Sequence, residues 1–440
     1  MAPSVLGSIS LGYQFLWDAR RKPAAIQLFI DSDTDTPVDA AHLLSMLRES
    51  WPEQAPQLVL SIQSPTLFLD VLEHGADRDP WLETPQVWLN DPLTLESVSQ
   101  ACKRGLRMIW RGPNAQRPDP ESLPFFHKSM LALSPEEALA GVRAFRNWHA
   151  LSLSSALESP VEPGHIYEGV ANQLLAQHCL DQQGAWALAG WPTDDVLYRH
   201  RAAPLQPGQH AIARLVNAVE ADVSMEILEQ TLNDEPILAY RFLLYVNSPE
   251  FQSRHEVETV RHGLMLLGLA GFRAWLLKQL PDASNDPDLE PVRACIVARA
   301  RLMEKLLDAG DEGELRREVY WCGLLSQFDL LLNQPLVITA EQIPVSERIR
   351  NALLQDAGPY APYLAIAKSL ESPDTRATHA LCALHDIDIA EINRAFLRTL
   401  VGLGIQLKRT QPQPSGGLSA AFSVPGKTPS RTTHPVSSRN

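Results

Sequence analysis

The sequence predicts two architectures in one chain: an α/β region over residues 1–205, read as an incomplete barrel, and an all-α bundle over residues 206–407. Three observations predict this. Short apolar runs of strand length alternate with helical patterns through the first half. A Pro/Gly-bearing stretch then breaks the texture at Ala203-Pro204-Leu205-Gln206-Pro207-Gly208. Beyond it, apolar residues recur at three- and four-residue steps up to about residue 400.

In chain order, the strand-like runs include Ala25 to Ile30, Leu58 to Ile62 and Arg107 to Trp110. Helical patterns such as Leu95 to Leu106 and Pro135 to Trp148 lie between or after them, and that alternation implies parallel strands with crossover helices. In the second half, Leu238, Phe242 and Tyr245 form a stripe behind Pro236, a residue suited to a first helical turn. The clearest helix is predicted from Val257 to Leu280, with Gly268 and Gly271 allowing a second helix close. From Lys408 to Asn440 apolar periodicity ends in Gln, Pro, Ser, Gly and Thr, so 408–440 is expected to be disordered.

The totals exclude several classes of function. A formal net charge of −14 opposes nucleic-acid and anionic-membrane partners. Arg20, Arg21 and Lys22 form a local basic run, read as a solvated turn. The five cysteines, Cys102, Cys179, Cys295, Cys322 and Cys382, have long spacings and no C-x-x-C, so neither a disulfide framework nor a zinc site is indicated. No leader pattern and no run of about 18 apolar residues occurs, and the expectation is a cytoplasmic protein. Nucleophile-elbow, zincin, Walker and Rossmann glycine patterns are absent, and no cofactor is expected.

Two resemblances sharpen this picture. Asp222 to Glu226, then Asn233-Asp234-Glu235-Pro236, then Val246-Asn247-Ser248, then Val260 to Gly268 resemble the HDOD family in order and spacing. Each piece also has a local physical reading. Ser224 and Asp234 are suited to cap helices, Pro236 to start one, and Asn247 and Ser248 to stop it before Pro249. A partner-docking role for Asn247 is the alternative. The HDOD family resembles metal-dependent phosphohydrolases that use a His-Asp pair. Here Ser326 and Gln327 stand where that pair would be, and neither suits a hard divalent cation. His385-Asp386 does occur, but His379 is six residues away, an awkward offset for a shared ligand set.

The first half resembles the EAL domain of cyclic-di-GMP phosphodiesterases, beginning with Trp17-Asp18-Ala19-Arg20 through Ile30. By that resemblance Gln27 occupies the place of a glutamate metal ligand and Asp31 that of an arginine. Trp110 and Arg111 stand where paired aspartates are expected. Lys128 and Glu168 are read as remnants, Glu168 within Tyr167-Glu168-Gly169. An amide cannot replace an anionic ligand, and two-metal hydrolysis needs carboxylates for both ions.

The two resemblances together imply a bacterial signalling protein with an inactive EAL-like domain before an HDOD domain. It is expected to act through an unidentified protein partner, with no catalytic residue, no metal, no nucleic acid and no membrane. A non-hydrolysing cyclic-di-GMP receptor and a residual phosphodiesterase are the alternatives. In the receptor reading, Arg20, Arg21 or Arg111 would supply the missing positive charge.

Overall fold

The computed structural model describes residues 4–32, 38–150, 159–201, 206–251, 256–307 and 313–409. The strands are β1 (Ile9–Trp17), β2 (Pro23–Ser32), β3 (Gln57–Ile62), β4 (Trp81–Pro85), β5 (Met108–Pro113), β6 (Phe126–Ala132), β7 (Ile166–Glu168) and β8 (Ala187–Ala189). They form a closed barrel, so the expectation of an incomplete one is corrected. The first strand runs antiparallel to both neighbours, β2 and β8, and the rest are parallel. The strand-like runs named from the sequence correspond to β2, β3 and β5; β1, β4 and β6 were not named, and β7 and β8, at three residues each, carry no readable alternation.

Helices α1 (Ala40–Ser50), α2 (Pro65–His74), α3 (Pro92–Lys103), α4 (Pro135–Ala150) and α5 (Gln173–Gln177) lie between the parallel strands, and α6 (Thr193–His200) follows the last. Asp39, Ser64, Asp91 and Asn172 cap α1, α2, α3 and α5 with their side-chain oxygens. The second half is helical: α7 (Gln209–Glu220), α8 (Met225–Asn233), α9 (Pro236–Val246), α10 (Val260–Gln279), α11 (Leu289–Leu306), α12 (Gly313–Leu325), α13 (Phe328–Leu332), α14 (Leu336–Gln342), α15 (Glu347–Gln355), α16 (Ala361–Leu370), α17 (Arg376–Leu384) and α18 (Ile389–Arg409). The α18 helix carries Lys408 and Arg409, which the sequence assigned to a tail; residues 410–440 lie outside the described residues, as do 202–205 of the linker. No described helix is long and apolar enough to cross a membrane.

Alternation along the strands sorts the side chains into three cores. Leu16, Ala25, Val59, Trp81, Ile109, Met130 and Ile166 fill the barrel interior. Trp110, Leu131, Tyr167 and Leu188 point outward beneath α5 and its neighbours. The third core joins the outer faces of β1 to β3 to the helical half. Because β1 and β2 form a hairpin, no crossover helix covers β1; the helical half does. Asn393 of α18, fully buried, donates to the Leu6 and Ile9 carbonyls at 2.8 Å each. Tyr13 packs on Phe396 with ring centroids 5.6 Å apart. At Gly12 a side chain would collide with the Ser372 carbonyl between α16 and α17.

The predicted basic turn is part of this junction. Arg21 is 3% exposed rather than solvated. It donates from Nε to Asp288 at 2.7 Å and from Nη1 and Nη2 to Asp181 at 2.6 and 2.7 Å. Asp288, also buried, accepts from Gln173 and Gln177 at 2.7 and 2.6 Å. Burial opposes the Arg21 charge, yet Asp181 and Asp288 raise its pKa. A charge so desolvated survives because every face of it is bonded.

Candidate functional site

The strands' C-terminal ends make a crater whose polar layer follows from period two. One inward step above Ala25, Val59, Trp81, Ile109 and Ile166 stand Gln27, Ser61, Glu83, Arg111 and Glu168. Gln27 donates from Nε2 to Glu83 at 2.6 Å. Arg111 donates from Nη1 to Glu83 at 2.9 Å and from Nε to Glu168 at 3.0 Å, with Nη2 also 2.9 Å from Glu168. The guanidinium therefore bridges two carboxylates that would otherwise repel each other.

The electrostatics follow from burial. The Glu83 side chain is 1% exposed, and burial pushes its carboxyl above the usual carboxylate range against the pull of Arg111 and the Ser61 hydroxyl. Burial likewise works against the Arg111 charge, but Glu83 and Glu168 raise its pKa. Each nitrogen of Arg111 thus has a carboxylate partner, which competes with a phosphate for the same guanidinium.

The sequence-predicted positions divide. Gln27, Arg111 and Glu168 meet. Asp31 lies four residues further along β2 than Gln27, about 13 Å at strand rise, where it accepts from the Ser32 amide at 3.0 Å. Trp110 is corrected: it is 1% exposed in the outer core, because adjacent strand residues face opposite ways. Lys128 is corrected too. It precedes Ala132, the partner of Glu168, by four residues and lies at the other end of the barrel, with Nζ 4.8 Å from the Trp186 ring. Glu83 was not foreseen; its one signal was a lone carboxylate inside the strand-length run Trp81-Leu82-Glu83-Thr84-Pro85.

The crater does not fit a divalent metal pair. Gln27 is an amide, and both carboxylates are bound to a fixed cation. Among the described residues, no group of three or more His, Cys, Asp and Glu could hold a metal ion.

In the helical half most of the signature residues bond to neighbouring backbone or start helices. Asn247 donates to the Leu243 and Val257 carbonyls at 2.9 Å and accepts from the Val257 amide at 2.8 Å, tying the end of α9 to the approach of α10. Ser248 donates to the Tyr245 carbonyl, and Ser224 caps α8. Pro236 opens α9. Asp234 is corrected: its side chain does not cap α9 but accepts from Arg301 at 2.6 Å and Gln406 at 2.7 Å, and its backbone N–H closes the end of α8. Gly268 is corrected as well. It takes φ 71° and kinks α10, and nothing packs on it, whereas Gly263 is where α10 meets Phe242. Gly271 faces Leu267 of its own helix.

Ser326 and Gln327 sit at the α12–α13 corner. Ser326 donates to the Gly323 carbonyl at 2.7 Å and accepts from Arg299 at 3.2 Å. Arg299 is held by Glu371 at 2.9 and 2.5 Å. His385 ends α17 and Asp386 takes φ 54°, while Asp388 caps α18. The helical half also has a cleft of about 710 Å³ beside α10 and α12, lined by Trp321, Ile343, Arg261, Arg317, Glu318 and Arg348. Its arginines are paired: Arg317 with Glu229 at 2.8 Å, Arg261 with Glu229 at 3.5 Å, and Arg348 with Glu318 at 2.5 Å.

Residues 205–342 match the HDOD domain model. The chain carries an HDOD domain. It is 24% identical over 172 residues to the uncharacterized protein YuxH of Bacillus subtilis strain 168, covering 38% of each chain. It is 18% identical over 191 residues to the cyclic di-GMP phosphodiesterase CdgJ of Vibrio cholerae, covering 43% of this chain and 44% of that one. The alignments thus span less than half the length of these curated relatives. Among solved structures, the MmoQ response regulator of Methylococcus capsulatus strain Bath matches 44% of this chain and 98% of its own at 16% identity, with a TM-score of 0.35. A virulence factor (cj0248) of Campylobacter jejuni matches 48% of this chain and 99% of its own at 14% identity, with a TM-score of 0.34. At these scores the structural likenesses carry no statement of function. The HDOD match and the two relatives support an HDOD-containing signalling protein.

Proposed function

We propose that this is a non-catalytic bacterial regulatory protein of the YuxH-like kind, in which an inactive EAL-like barrel is joined to an HDOD domain that works through protein contacts. The observation that carries the reading is the Arg111 bridge between Glu83 and Glu168. Phosphodiester hydrolysis in an EAL-like crater needs metal ions to activate water and to neutralise the leaving oxygen. A guanidinium offsets one of the two carboxylate charges permanently but binds no water as a Lewis acid and lowers no water pKa. Gln27 completes the network as a donor, a role open to an amide and closed to an ionised carboxylate.

In this reading the barrel keeps its shape to support the junction, and the HDOD cleft offers mixed apolar and charged walls to a partner. The name of the Vibrio relative, a cyclic di-GMP phosphodiesterase, makes cyclic-di-GMP the nucleotide to test, and a non-hydrolysing receptor for it is the second reading. Against it stand the engaged donors of Arg111 and the burial of Arg21 in the junction.

The test is turnover. Purified protein incubated with cyclic-di-GMP and Mg²⁺ or Mn²⁺ is expected to release no linear dinucleotide. Metal-dependent product that disappears in Glu83→Gln would overturn the non-catalytic reading.

A further inference from the structure

The barrel end opposite the crater carries groups that the proposed function leaves unused. There, where the parallel strands begin, the Trp81 ring packs edge-on to His127 at 4.8 Å and lies 5.7 Å from Trp186. Lys128 stands over Trp186 and donates to the Gly164 carbonyl at 3.4 Å. His127 is exposed, at the register shift between β5 and β6. Such a bulge re-aims a side chain that a regular ladder would have turned elsewhere.

Cations gather around these rings. Arg107, whose side chain is 53% exposed, meets Asp77 only at the 4.0 Å limit of an ion pair. Arg117 is 3.0 Å from Glu162, which also lies 3.6 Å from His165. The His127 pKa is lowered by burial and then by Lys128 and Arg107; His165 is lowered by burial and then by Arg117, with Lys128 adding to it against Glu162. Arg107, Arg117 and Lys128 thus outnumber Asp77 and Glu162 in this cluster, a local excess of positive charge on a chain of net charge −14.

Resting on the protein-contact reading above, we propose that this end of the barrel docks a carboxylate-rich segment of a protein partner. Arg107 and Lys128 take its acidic side chains, and His127 and Trp186 pack on its apolar ones. The rings themselves favour a peptide over a nucleotide. Trp186 has Lys128 over its ring and Trp81 beside it, so the cluster presents ring edges and cationic heads rather than an open slot for a base. Acidic partners also meet such a surface faster than neutral ones, with a rate that salt suppresses.

The test uses the full chain and labelled decaglutamate, followed by fluorescence anisotropy at low ionic strength. The wild type is expected to bind, and the Arg107→Glu/Lys128→Glu variant to bind at least about tenfold more weakly. Arg376→Glu, an 81%-exposed arginine of the helical half, is expected to bind like the wild type. Should the double variant melt lower, Lys128→Met, which removes one charge from the Trp186 ring, must still weaken binding. No binding by the wild type, an equal loss in Arg376→Glu, or displacement of the peptide by cyclic-di-GMP would each overturn the proposal. The readout involves neither turnover nor metal. Its failure therefore leaves the non-catalytic reading standing, and turnover of cyclic-di-GMP would overturn that reading while leaving the patch intact.

Discussion

At the scale of single residues, two arginines hold carboxylates in place. Arg111 holds Glu83 and Glu168 in the crater, and Arg299 holds Glu371 beside Ser326. In both places a fixed guanidinium stands where the family resemblances imply metal chemistry. Arg111→Ala leaves the Glu83 carboxylate buried without its counter-ion. The expected loss is about 2 kcal/mol in urea unfolding, below the roughly 3–5 kcal/mol of a fully dry pair, because the Arg111 side chain keeps 37% of its surface. Adding Glu83→Gln should restore most of it, since an amide needs no counter-ion. Glu235 gives a pH prediction. Burial pushes its pKa up to about 7, against Arg293 and Arg214 and with Glu290 and Asp234. A carboxyl whose folded pKa lies above its unfolded value of about 4.3 holds its proton more firmly when folded. Its contribution therefore favours folding below that value and is lost as pH rises through about 7. Melting temperatures of Glu235→Gln measured against wild type should rise in relative terms from pH about 5 to about 8; a constant difference would contradict the assignment. Of the crater, the sequence made Gln27, Arg111 and Glu168 legible. Glu83 was hidden because one acid in a five-residue strand has no motif, and its meaning depends on which strands it sits between.

At the scale of elements, local chemistry was legible and long-range geometry was not. Ser224 and Pro236 start their helices as their side chains dictate, since capping needs only neighbouring residues. Asp234 looked equally like a cap, but Arg301 and Gln406, distant in sequence, claim its carboxylate. The α10 kink escaped because glycine reads the same whether it supplies close packing or a positive φ. Gly268→Ala is expected to cost about 1–3 kcal/mol by forcing a Cβ into a positive-φ, extended-ψ conformation essentially reserved for glycine, even though open space surrounds it. Gly263→Ala should destabilise by a different route, collision with Phe242, and a compensating Phe242→Leu should rescue it alone. Asn247→Ala removes three hydrogen bonds and is expected to cost about 2–3 kcal/mol, with faster amide exchange at Val257 as its local signature.

At the scale of the whole molecule, the hairpin origin of β1 explains why the two halves are bound together. A strand without its own crossover helix leaves Ile9, Leu11, Tyr13 and Phe15 needing cover, and the helical half supplies it. The Arg21–Asp288 pair and the Asn393 bonds fix the register of that contact. Calorimetry should therefore show one unfolding transition for the wild type, with calorimetric and van't Hoff enthalpies in agreement. Asp288→Asn combined with Asn393→Ala should split it in two, and a second transition already present in the wild type would contradict a shared core. The sequence marked the change of texture near residue 205 but not this interface, because its residues lie in both halves and match no pattern in either.

The account rests above all on a crater whose charges are satisfied from within. The most direct measurement is calorimetric titration of the purified protein with cyclic-di-GMP, with Mg²⁺ and separately with Ca²⁺ present. No heat of binding at high protein concentration is the predicted result. Micromolar binding that weakens when Arg111 or Glu168 is replaced would contradict it and make the barrel a second-messenger receptor.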